Sequence, residues 1–310
     1  MTRPDEVLAQ AHENVMHTQV SPLSNENRLQ MILTERWIGY TRARHIVNQL
    51  KALCDLPRKI RMPNLLITGP TNNGKSMIIE KFRREIIQEQ GDATLLSEEK
   101  EQIPIVFVQM PSEPLISRFY ALLLESINVP MSRSRNLPYL ERLTLSIFKQ
   151  VNVQVIVIDE LHNILSGSMQ KQHAFLNLLR FLGNELQVSI VGVGTKDAYL
   201  AIRSDDQLEN RFEPLVLPRW EYDEEYLKLI ASYVSMLPLK KSSVMIQPEI
   251  AEFILEKSEG TIGEIIMLLK KAAQTAIHTG DECITMKVLA KTDYLSPHER
   301  RKLYQHELKR

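Results

Sequence analysis

Residues 65–76 read Leu-Leu-Ile-Thr-Gly-Pro-Thr-Asn-Asn-Gly-Lys-Ser, an apolar run followed by the pattern G-x-x-x-x-G-K-S. This is the Walker A pattern of a phosphate-binding loop, in which backbone N–H groups surround the phosphates. Gly69 and Gly74 permit the tight turn, Lys75 can reach the β- and γ-phosphates, and the Ser76 hydroxyl can ligate Mg²⁺. The stretch after the loop is compatible with a helix, whose N-terminus favours an anion. The sequence therefore predicts a strand, a nucleotide-binding loop and a helix in succession.

A second motif lies further along the chain, where four apolar residues precede two acids in Val-Ile-Val-Ile-Asp159-Glu160. Besides the hydroxyl of the phosphate loop, Mg²⁺ needs a carboxylate ligand from a neighbouring strand. Asp159 follows a predicted strand and can supply it. Ser76 and Asp159 are therefore the predicted metal ligands, and Glu160 is the predicted general base toward the attacking water. A strand that ends in an acidic turn is the alternative. Together with the upstream loop, the pair of carboxylates predicts Mg²⁺-dependent ATP hydrolysis.

Two further polar residues lie beside predicted strands. Thr195 ends the stretch Val-Gly-Val-Gly-Thr, where a hydroxyl can orient water beside the γ-phosphate; it can equally cap the next helix. Arg211, in Asn-Arg-Phe, stands before the last strand-like piece, and we expect it to act as an arginine finger on a neighbouring copy's nucleotide. A surface salt bridge is the alternative, and Arg203 is the second candidate for this role.

Hydrophobic runs without polar alternation, each followed by helical segments, predict a parallel sheet that is covered on both faces. After Pro218 such runs disappear and only helices are expected. The predicted fold is thus an α/β nucleotide-binding domain with a five-stranded parallel sheet, followed by a small helical lid. We expect a polar segment at 1–30, the α/β domain at 31–218, the lid at 219–295 and a basic tail at 296–310. The strands are predicted at 65–68, 104–110, 153–158 and 188–193, with 215–217 as a candidate fifth, and one helix is predicted over 34–53.

Composition limits the function in other ways. The 310 residues contain 38 Lys+Arg and 38 Asp+Glu, so DNA contact would require a local basic patch. Cys54 and Cys283 are far apart, which fits a reducing compartment rather than a metal or redox site. No apolar signal region and no run of 18 apolar residues occur, so we expect a cytoplasmic protein without a spanning helix.

The order of G-P-T-N-N-G-K-S, V-I-V-I-D-E-L-H, V-G-V-G-T and N-R-F-E-P resembles AAA+ ATPases. The flanking stretches are more specific and look like the TniB/TnsC group of AAA+ transposition regulators. They are R-W-I-G-Y at 36–40, R-M-P-N-L-L at 61–66 and L-E-N-R-F-E-P-L-V-L-P-R-W at 208–220. The similarity covers about residues 30–290, which is most of the chain.

The resemblance implies an ATPase that assembles with ATP as a ring or helical filament on double-stranded DNA. Such regulators link a TniQ-type target selector to a DDE transposase of the TniA/TnsB type, and ATP hydrolysis dismantles the assembly. The resemblance also implies an adenine pocket near Trp37 and Tyr40, with packing of these rings under the lid as the alternative. The nucleotide site would then comprise Gly69, Pro70, Thr71, Asn72, Asn73, Gly74, Lys75, Ser76, Met77, Trp37 and Tyr40.

Two features of the AAA+ pattern concern the lid and the DNA contact. The pattern would place an arginine near Glu264 in the lid, and none is present there, so we expect slow hydrolysis that depends on assembly or a partner. In AAA+ proteins that encircle DNA, the segment between the second and third strands faces the pore. This suggests a DNA contact through Ser117, Arg118, Ser132, Arg133 and Arg135, with Ser134 between them. A solvated surface loop is the alternative.

Alternative functions use the same nucleotide site. A replication initiator or helicase loader is one, although such proteins typically carry a separate DNA-recognition module. A non-catalytic nucleotide-dependent scaffold is another, and the presence of both Asp159 and Glu160 argues against it. The basic tail can contact DNA, dock the transposase or serve solubility alone.

Overall fold

The computed structural model describes residues 23–94, 102–130, 136–241 and 247–308. Five strands form one parallel sheet in the order β2-β3-β4-β1-β5, which confirms the predicted five-stranded parallel sheet. In β1, Ile67 pairs with Val193 of β4 on one side and Leu215 of β5 on the other. The strands are β1 (Asn64–Thr68), β2 (Ile105–Gln109), β3 (Val155–Asp159), β4 (Ser189–Gly194) and β5 (Phe212–Val216).

Helices connect and follow the strands. They are α1 (Asn25–Leu33), α2 (Thr41–Cys54), α3 (Lys75–Thr94), α4 (Ile116–Ser126), α5 (Leu137–Gln150), a 3₁₀ helix (Leu161–Ser166), α6 (Met169–Leu186), α7 (Lys196–Arg203), α8 (Asp206–Glu209), α9 (Glu224–Ser235), α10 (Pro248–Lys257), α11 (Ile262–Thr279), α12 (Met286–Lys291) and α13 (Pro297–Glu307).

The described residues form two compact units. One consists of the residues up to Thr41, Asn72–Gly74 and the residues from Arg219 onwards; the other consists of Arg42–Thr71 and Lys75–Pro218. The second unit contains the whole sheet. Its main apolar core packs one face of the sheet against the helices on that side, which include the edge-to-face ring pair of Phe119 and Phe175 with centroids 4.9 Å apart. Side chains on the other face, such as Ile67 and Val157, are also buried.

The strand order determines where a ligand can bind. The chain leaves β1 toward β2, at one edge of the sheet, and leaves β4 toward β5, at the other edge. Because β1 and β4 are neighbours with connections running in opposite directions, a crevice opens beyond their carboxyl ends. In open α/β sheets this is the position at which ligands bind.

The other unit is helical and has its own core. Apolar side chains of α9, α10 and α11 pack together with Ile32 of α1. Arg28 of α1 is fully buried among them, and its guanidinium donates to the Glu282 carboxylate, to the Pro238 carbonyl at 2.9 Å and to Asn25 Oδ1 at 3.0 Å. The hydrogen bond from Arg28 lowers the pKa of Glu282.

Several elements differ from the sequence-based expectation. The single helix predicted over 34–53 begins at Thr41, since Gly39 disfavours helix and Arg36 instead donates to the Met236 carbonyl. Residues 25–30, which the sequence assigns to a polar N-terminal segment, belong to α1, which is fixed by buried Arg28. The last strand comprises 212–216 rather than 215–217.

Replacing Arg28 by Met should lower the free energy of unfolding by about 3 kcal/mol, because Glu282 loses its buried partner. This is the lower end of the usual range, since the Glu282 side chain is 12% exposed and can regain some water. Urea unfolding of the purified chain measures the change. The control is Lys228→Met, which removes the exposed i,i+4 pair with Glu224 and should cost less than about 0.5 kcal/mol. Equal losses in both variants would contradict the assignment.

Candidate nucleotide site

The predicted phosphate loop follows β1 at the crevice. The Gly69 N–H donates to the Gly194 carbonyl at 3.3 Å, which ties the loop to the end of β4. A Cβ at position 69 would lie 2.5 Å from the Leu217 carbonyl oxygen, so only glycine fits there. Gly74 has a φ of +83°, which glycine adopts without strain. Gly69 is therefore required by the close approach of the neighbouring backbone, and Gly74 is favoured by its positive φ.

Lys75 is the first residue of α3 and is nearly buried, at 9% exposure. Its ammonium donates to the carbonyls of Gly69 at 2.9 Å and Pro70 at 2.7 Å. Burial lowers the pKa of Lys75, and the negative charges of Glu160 and Asp159 oppose that shift. Both hydrogen-bond partners are neutral, so a phosphate oxygen would be a stronger acceptor for this ammonium than either carbonyl.

Ser76 and Asp159 come together although 83 residues separate them in the chain. Ser76 Oγ donates to Asp159 Oδ2 at 3.2 Å. Two adjacent ligands of an octahedral Mg²⁺ at about 2.1 Å from the ion are about 3.0 Å apart, so this pair of oxygens fits the ion. One hydroxyl and one carboxylate are too few to hold it alone, which is usual for Mg²⁺ that also binds phosphates.

Glu160 has a left-handed backbone, with φ of 55° and ψ of 36°, and precedes the 3₁₀ helix. Non-glycine residues populate this backbone region sparsely, and those that do are often found at functional sites. Its carboxylate lies 3.1 Å from Nε2 of His162, a residue that sequence reasoning missed. The available signal was the spacing Asp-Glu-Leu-His. Nδ1 of His162 is buried and has no hydrogen-bond partner among the described residues.

Thr195 follows β4 directly and caps α7. Its Oγ1 accepts a hydrogen bond from the Asp197 N–H at 3.4 Å, which is the capping alternative. Because β4 lies between β1 and β3, Thr195 leaves the sheet between the loop that carries Lys75 and the end of the strand that carries Asp159.

Arg211 immediately precedes β5, and its main-chain carbonyl accepts from the Asn64 N–H. Its guanidinium donates to Asn184 Oδ1 at 2.9 Å and makes no ion pair within the described residues. Burial lowers the pKa of Arg211, and the positive charges of Arg61 and Arg180 lower it further. The alternative candidate, Arg203, is exposed and lies 3.8 Å from Glu209. Within the described residues, no hydrogen bond joins Arg211 to the phosphate loop or to the acids after β3.

The middle of the loop belongs to the helical unit. Asn72 has a positive φ of 60°, its carbonyl accepts from the Gly263 N–H at 3.0 Å, and Asn73 Oδ1 accepts from the Ile262 N–H at 3.3 Å. Of the remaining predicted loop residues, Thr71 and Ser76 are exposed, and Met77 is half-buried.

The two upstream aromatics assigned to the adenine pocket lie in the same helical unit. Tyr40 meets Trp220 edge to face at 5.0 Å, and its hydroxyl lies 3.9 Å from the position that a Cβ at Gly74 would take. Trp37 is half-buried. Trp220 was not assigned from the sequence, although it ends the distinctive stretch 208–220.

The residues expected to contact DNA are only partly described. Ser117 and Arg118 lie in the first turn of α4, where Arg118 is exposed and pairs with Glu125 at 3.4 Å. Ser132, Arg133 and Arg135 lie outside the described residues, as does Ser134.

The described residues hold neither a metal cluster of their own nor a membrane-spanning helix. Across 23–94, 102–130, 136–241 and 247–308, no three His, Cys, Asp or Glu side chains are grouped to hold a metal ion. Within the same ranges, every helix is too short or too polar to cross a membrane.

Known structures share this fold. The Aeropyrum pernix ORC1 protein in complex with DNA matches with a TM-score of 0.60 at 13% identity, covering 85% of this chain and 68% of that one. Drosophila ORC bound to DNA matches with a TM-score of 0.58 at 12% identity, covering 93% and 73%. The Aeropyrum pernix ORC2 protein in its ADPNP–ADP complexes matches with a TM-score of 0.56 at 17% identity, covering 84% and 71%. The fold is that of AAA+ P-loop ATPases, as predicted.

Sequence comparison gives the family. The comparison with curated protein sequences finds no match. A family model described as "Bacterial TniB protein" matches residues 28–222, which is well over half of the chain. This agrees with the resemblance carried by the stretches at 36–40, 61–66 and 208–220. The chain belongs to the TniB family.

Proposed function

We propose that this chain is an ATP-hydrolysing regulator of DNA transposition, which assembles on double-stranded DNA with ATP. In this proposal it links a TniQ-type target selector to a DDE transposase of the TniA/TnsB type, and hydrolysis dismantles the assembly. The observation that carries the proposal is the contact of Ser76 with Asp159 beside the nearly buried Lys75. Membership of the TniB family supports the choice of DNA transposition over other uses of the same fold.

The proposed chemistry divides among five side chains. Lys75 exchanges its two carbonyl partners for phosphate oxygens, and Ser76 and Asp159 hold Mg²⁺. When bound, Mg²⁺ neutralises negative charge that develops on the phosphates. Glu160 accepts the proton of the attacking water, and Thr195 orients that water.

Arg211 is proposed to act on the nucleotide of a second copy. Among the described residues its guanidinium has the neutral acceptor Asn184, the nearby cations Arg61 and Arg180, and the negative charge of Asp205, which forms no ion pair with it, so no carboxylate is paired with Arg211. A triphosphate from another copy would supply that anion. Hydrolysis would then require assembly, because one copy alone lacks the finger.

Lys75→Ala should weaken ATP binding by roughly 10–100-fold, since charge-assisted hydrogen bonds to phosphate are removed. Glu160→Gln should retain ATP but lose hydrolysis, and should give long-lived oligomers on DNA. Labelled-nucleotide titration measures binding, and phosphate release measures hydrolysis. Glu113→Gln, at an exposed carboxylate that pairs with Lys171, is the control and should match the wild type. Full hydrolysis by Glu160→Gln would remove Glu160 from the mechanism.

Arg211→Ala should leave ATP binding by the single chain unchanged and lower DNA-stimulated hydrolysis by at least about 10³-fold. The measurement is phosphate release at saturating ATP, with and without duplex DNA. Arg203→Ala is the matched variant and should behave as the wild type. If Arg203→Ala loses the stimulation and Arg211→Ala keeps it, the finger is Arg203.

The DNA interface is tested by replacing Arg118, Arg133 and Arg135 together with Ala. The DNA affinity should fall, and its salt dependence should flatten by about 0.9 in log–log slope for each phosphate that the variant no longer neutralises. ATP affinity should not change. Arg84→Ala is the control, because Arg84 is exposed on α3 and pairs only with Glu80 among the described residues. An unchanged salt slope in the triple variant would exclude these residues from the DNA interface.

A further inference from the structure

Glu264 lies in the first turn of α11 and is buried, although it is an acid. Three different segments of the helical unit contact its carboxylate. Arg300 of α13 pairs with Oε1 at 2.6 Å, Tyr294 donates its hydroxyl to Oε2 at 2.8 Å, and Asn72 donates its amide to Oε1 at 3.3 Å. Burial and the hydrogen bond with Glu264 raise the pKa of Tyr294, and the same carboxylate raises the pKa of Arg300. Buried carboxylates need such partners.

Arg300 supplies the cation that the lid sequence lacks near Glu264. The stretch 260–264 contains no cation, and Arg300 reaches Glu264 from 36 residues further along the chain. A Cβ at Gly263 would lie 1.9 Å from Asn72 Oδ1, so the side chain of Asn72 occupies the space beside the glycine. The loop asparagine, the lid carboxylate and the arginine of the C-terminal helix are thus consecutive members of one hydrogen-bonded chain.

The helix that carries Arg300 is fixed at its beginning. Ser296 and Glu299 form a capping box, and Glu299 also pairs with Lys257 at 2.7 Å, which lowers the pKa of Glu299 to about 2. Arg301 pairs with Glu259 at 2.8 Å on a more exposed side. Arg300 and Arg301 are therefore neighbours with comparable ion pairs, and only the Arg300 pair continues to the loop asparagine.

We propose that Arg300 is a positioning residue for the phosphate loop, acting through Glu264 on Asn72. The inference rests on the proposed nucleotide binding and adds a residue to that site. Asn72 is held in a left-handed conformation by its carbonyl bond to Gly263 and its amide bond to Glu264. Without the guanidinium, the Glu264 carboxylate loses its cation and can turn away from Asn72. Asn72 then loses one of the two hydrogen bonds that hold it to the lid.

Coupling of this kind is reciprocal. If Arg300 favours the loop conformation that binds the nucleotide, then bound nucleotide favours docking of α13 onto Glu264. The C-terminal helix would therefore report the nucleotide state to whatever contacts it, and its contacts would change nucleotide affinity. A purely structural ion pair would stabilise the helix equally with and without nucleotide.

The first experiment measures the affinity for Mg²⁺-ATP by labelled-nucleotide titration. Arg300→Ala should raise the Kd at least about fivefold, within the usual range of coupling between sites, and Arg301→Ala should stay within about twofold. Glu264→Gln keeps the shape of the side chain and should behave as Arg300→Ala. Arg300→Ala leaves the nearly buried Glu264 carboxylate without a cation but with its hydrogen bonds to Tyr294 and Asn72, so thermal unfolding is needed to verify that each variant is folded.

The second experiment uses hydrogen exchange at residues 297–308. Mg²⁺-ATP should slow exchange there at least about threefold in the wild type, because bound nucleotide favours the docked helix. Asn72→Gly permits the positive φ but removes the side-chain amide. This variant should abolish the slowing of exchange by Mg²⁺-ATP.

The two proposals fail in different ways. If the wild type takes up no Mg²⁺-ATP, the proposed function fails and this inference with it. If the wild type binds, but Arg300→Ala and Arg301→Ala bind equally well and exchange at 297–308 ignores ATP, only the inference is overturned.

Discussion

Parallel pairing of β1, β4 and β3 is the constraint on which the candidate site depends. Side chains that follow β1 and β3 can meet only because β4 separates them by a fixed distance and all three strands end at the same edge. The contact of Ser76 with Asp159 is the result. A one-residue slip in any of these pairings would move the side chains of the shifted strand to the opposite face of the sheet. Such a slip would also separate the oxygens of Ser76 and Asp159. The buried strands thus fix the geometry of the site.

Within that geometry, electrostatics favours a polyanion together with a metal cation, because two carboxylates lie near the one ammonium. Lys75 is nearly buried with only neutral hydrogen-bond partners among the described residues, while Asp159 and Glu160 counter part of its desolvation. An ion such as Mg²⁺ beside Ser76 and Asp159 and a phosphate at Lys75 would each neutralise a charge that the protein leaves partly uncompensated. Each ligand therefore makes the other more favourable, which fits the joint binding of a metal and a triphosphate.

Sequence patterns could predict those parts of the candidate site in which the side chains and the backbone conformation lie in one short segment. The phosphate loop and the acids after β3 could be predicted because glycine, lysine and carboxylate positions there are dictated by spacing along the chain. The left-handed backbone of Glu160 and the anchoring of α1 by Arg28 depend on tertiary packing, which no local pattern encodes. His162 was missed although its spacing from Glu160 was a local signal. The arginine that serves Glu264 could not be found near it, since Arg300 reaches it only after the chain folds back.

Ion pairs within the protein reduce the number of cations that the basic C-terminal segment can offer to DNA. Arg300 and Arg301 are paired with Glu264 and Glu259, so among the described lysines and arginines of α13 only Lys302 has no ion pair. A cation already neutralised within the protein must break that pair before it binds a DNA phosphate, so it releases little free energy there. Arg118 forms a longer ion pair with Glu125, at 3.4 Å, and both side chains are exposed. Replacing this partner by a DNA phosphate costs less free energy. In the proposed DNA complex, releasing Arg118 from Glu125 would therefore cost less than releasing Arg300 from Glu264.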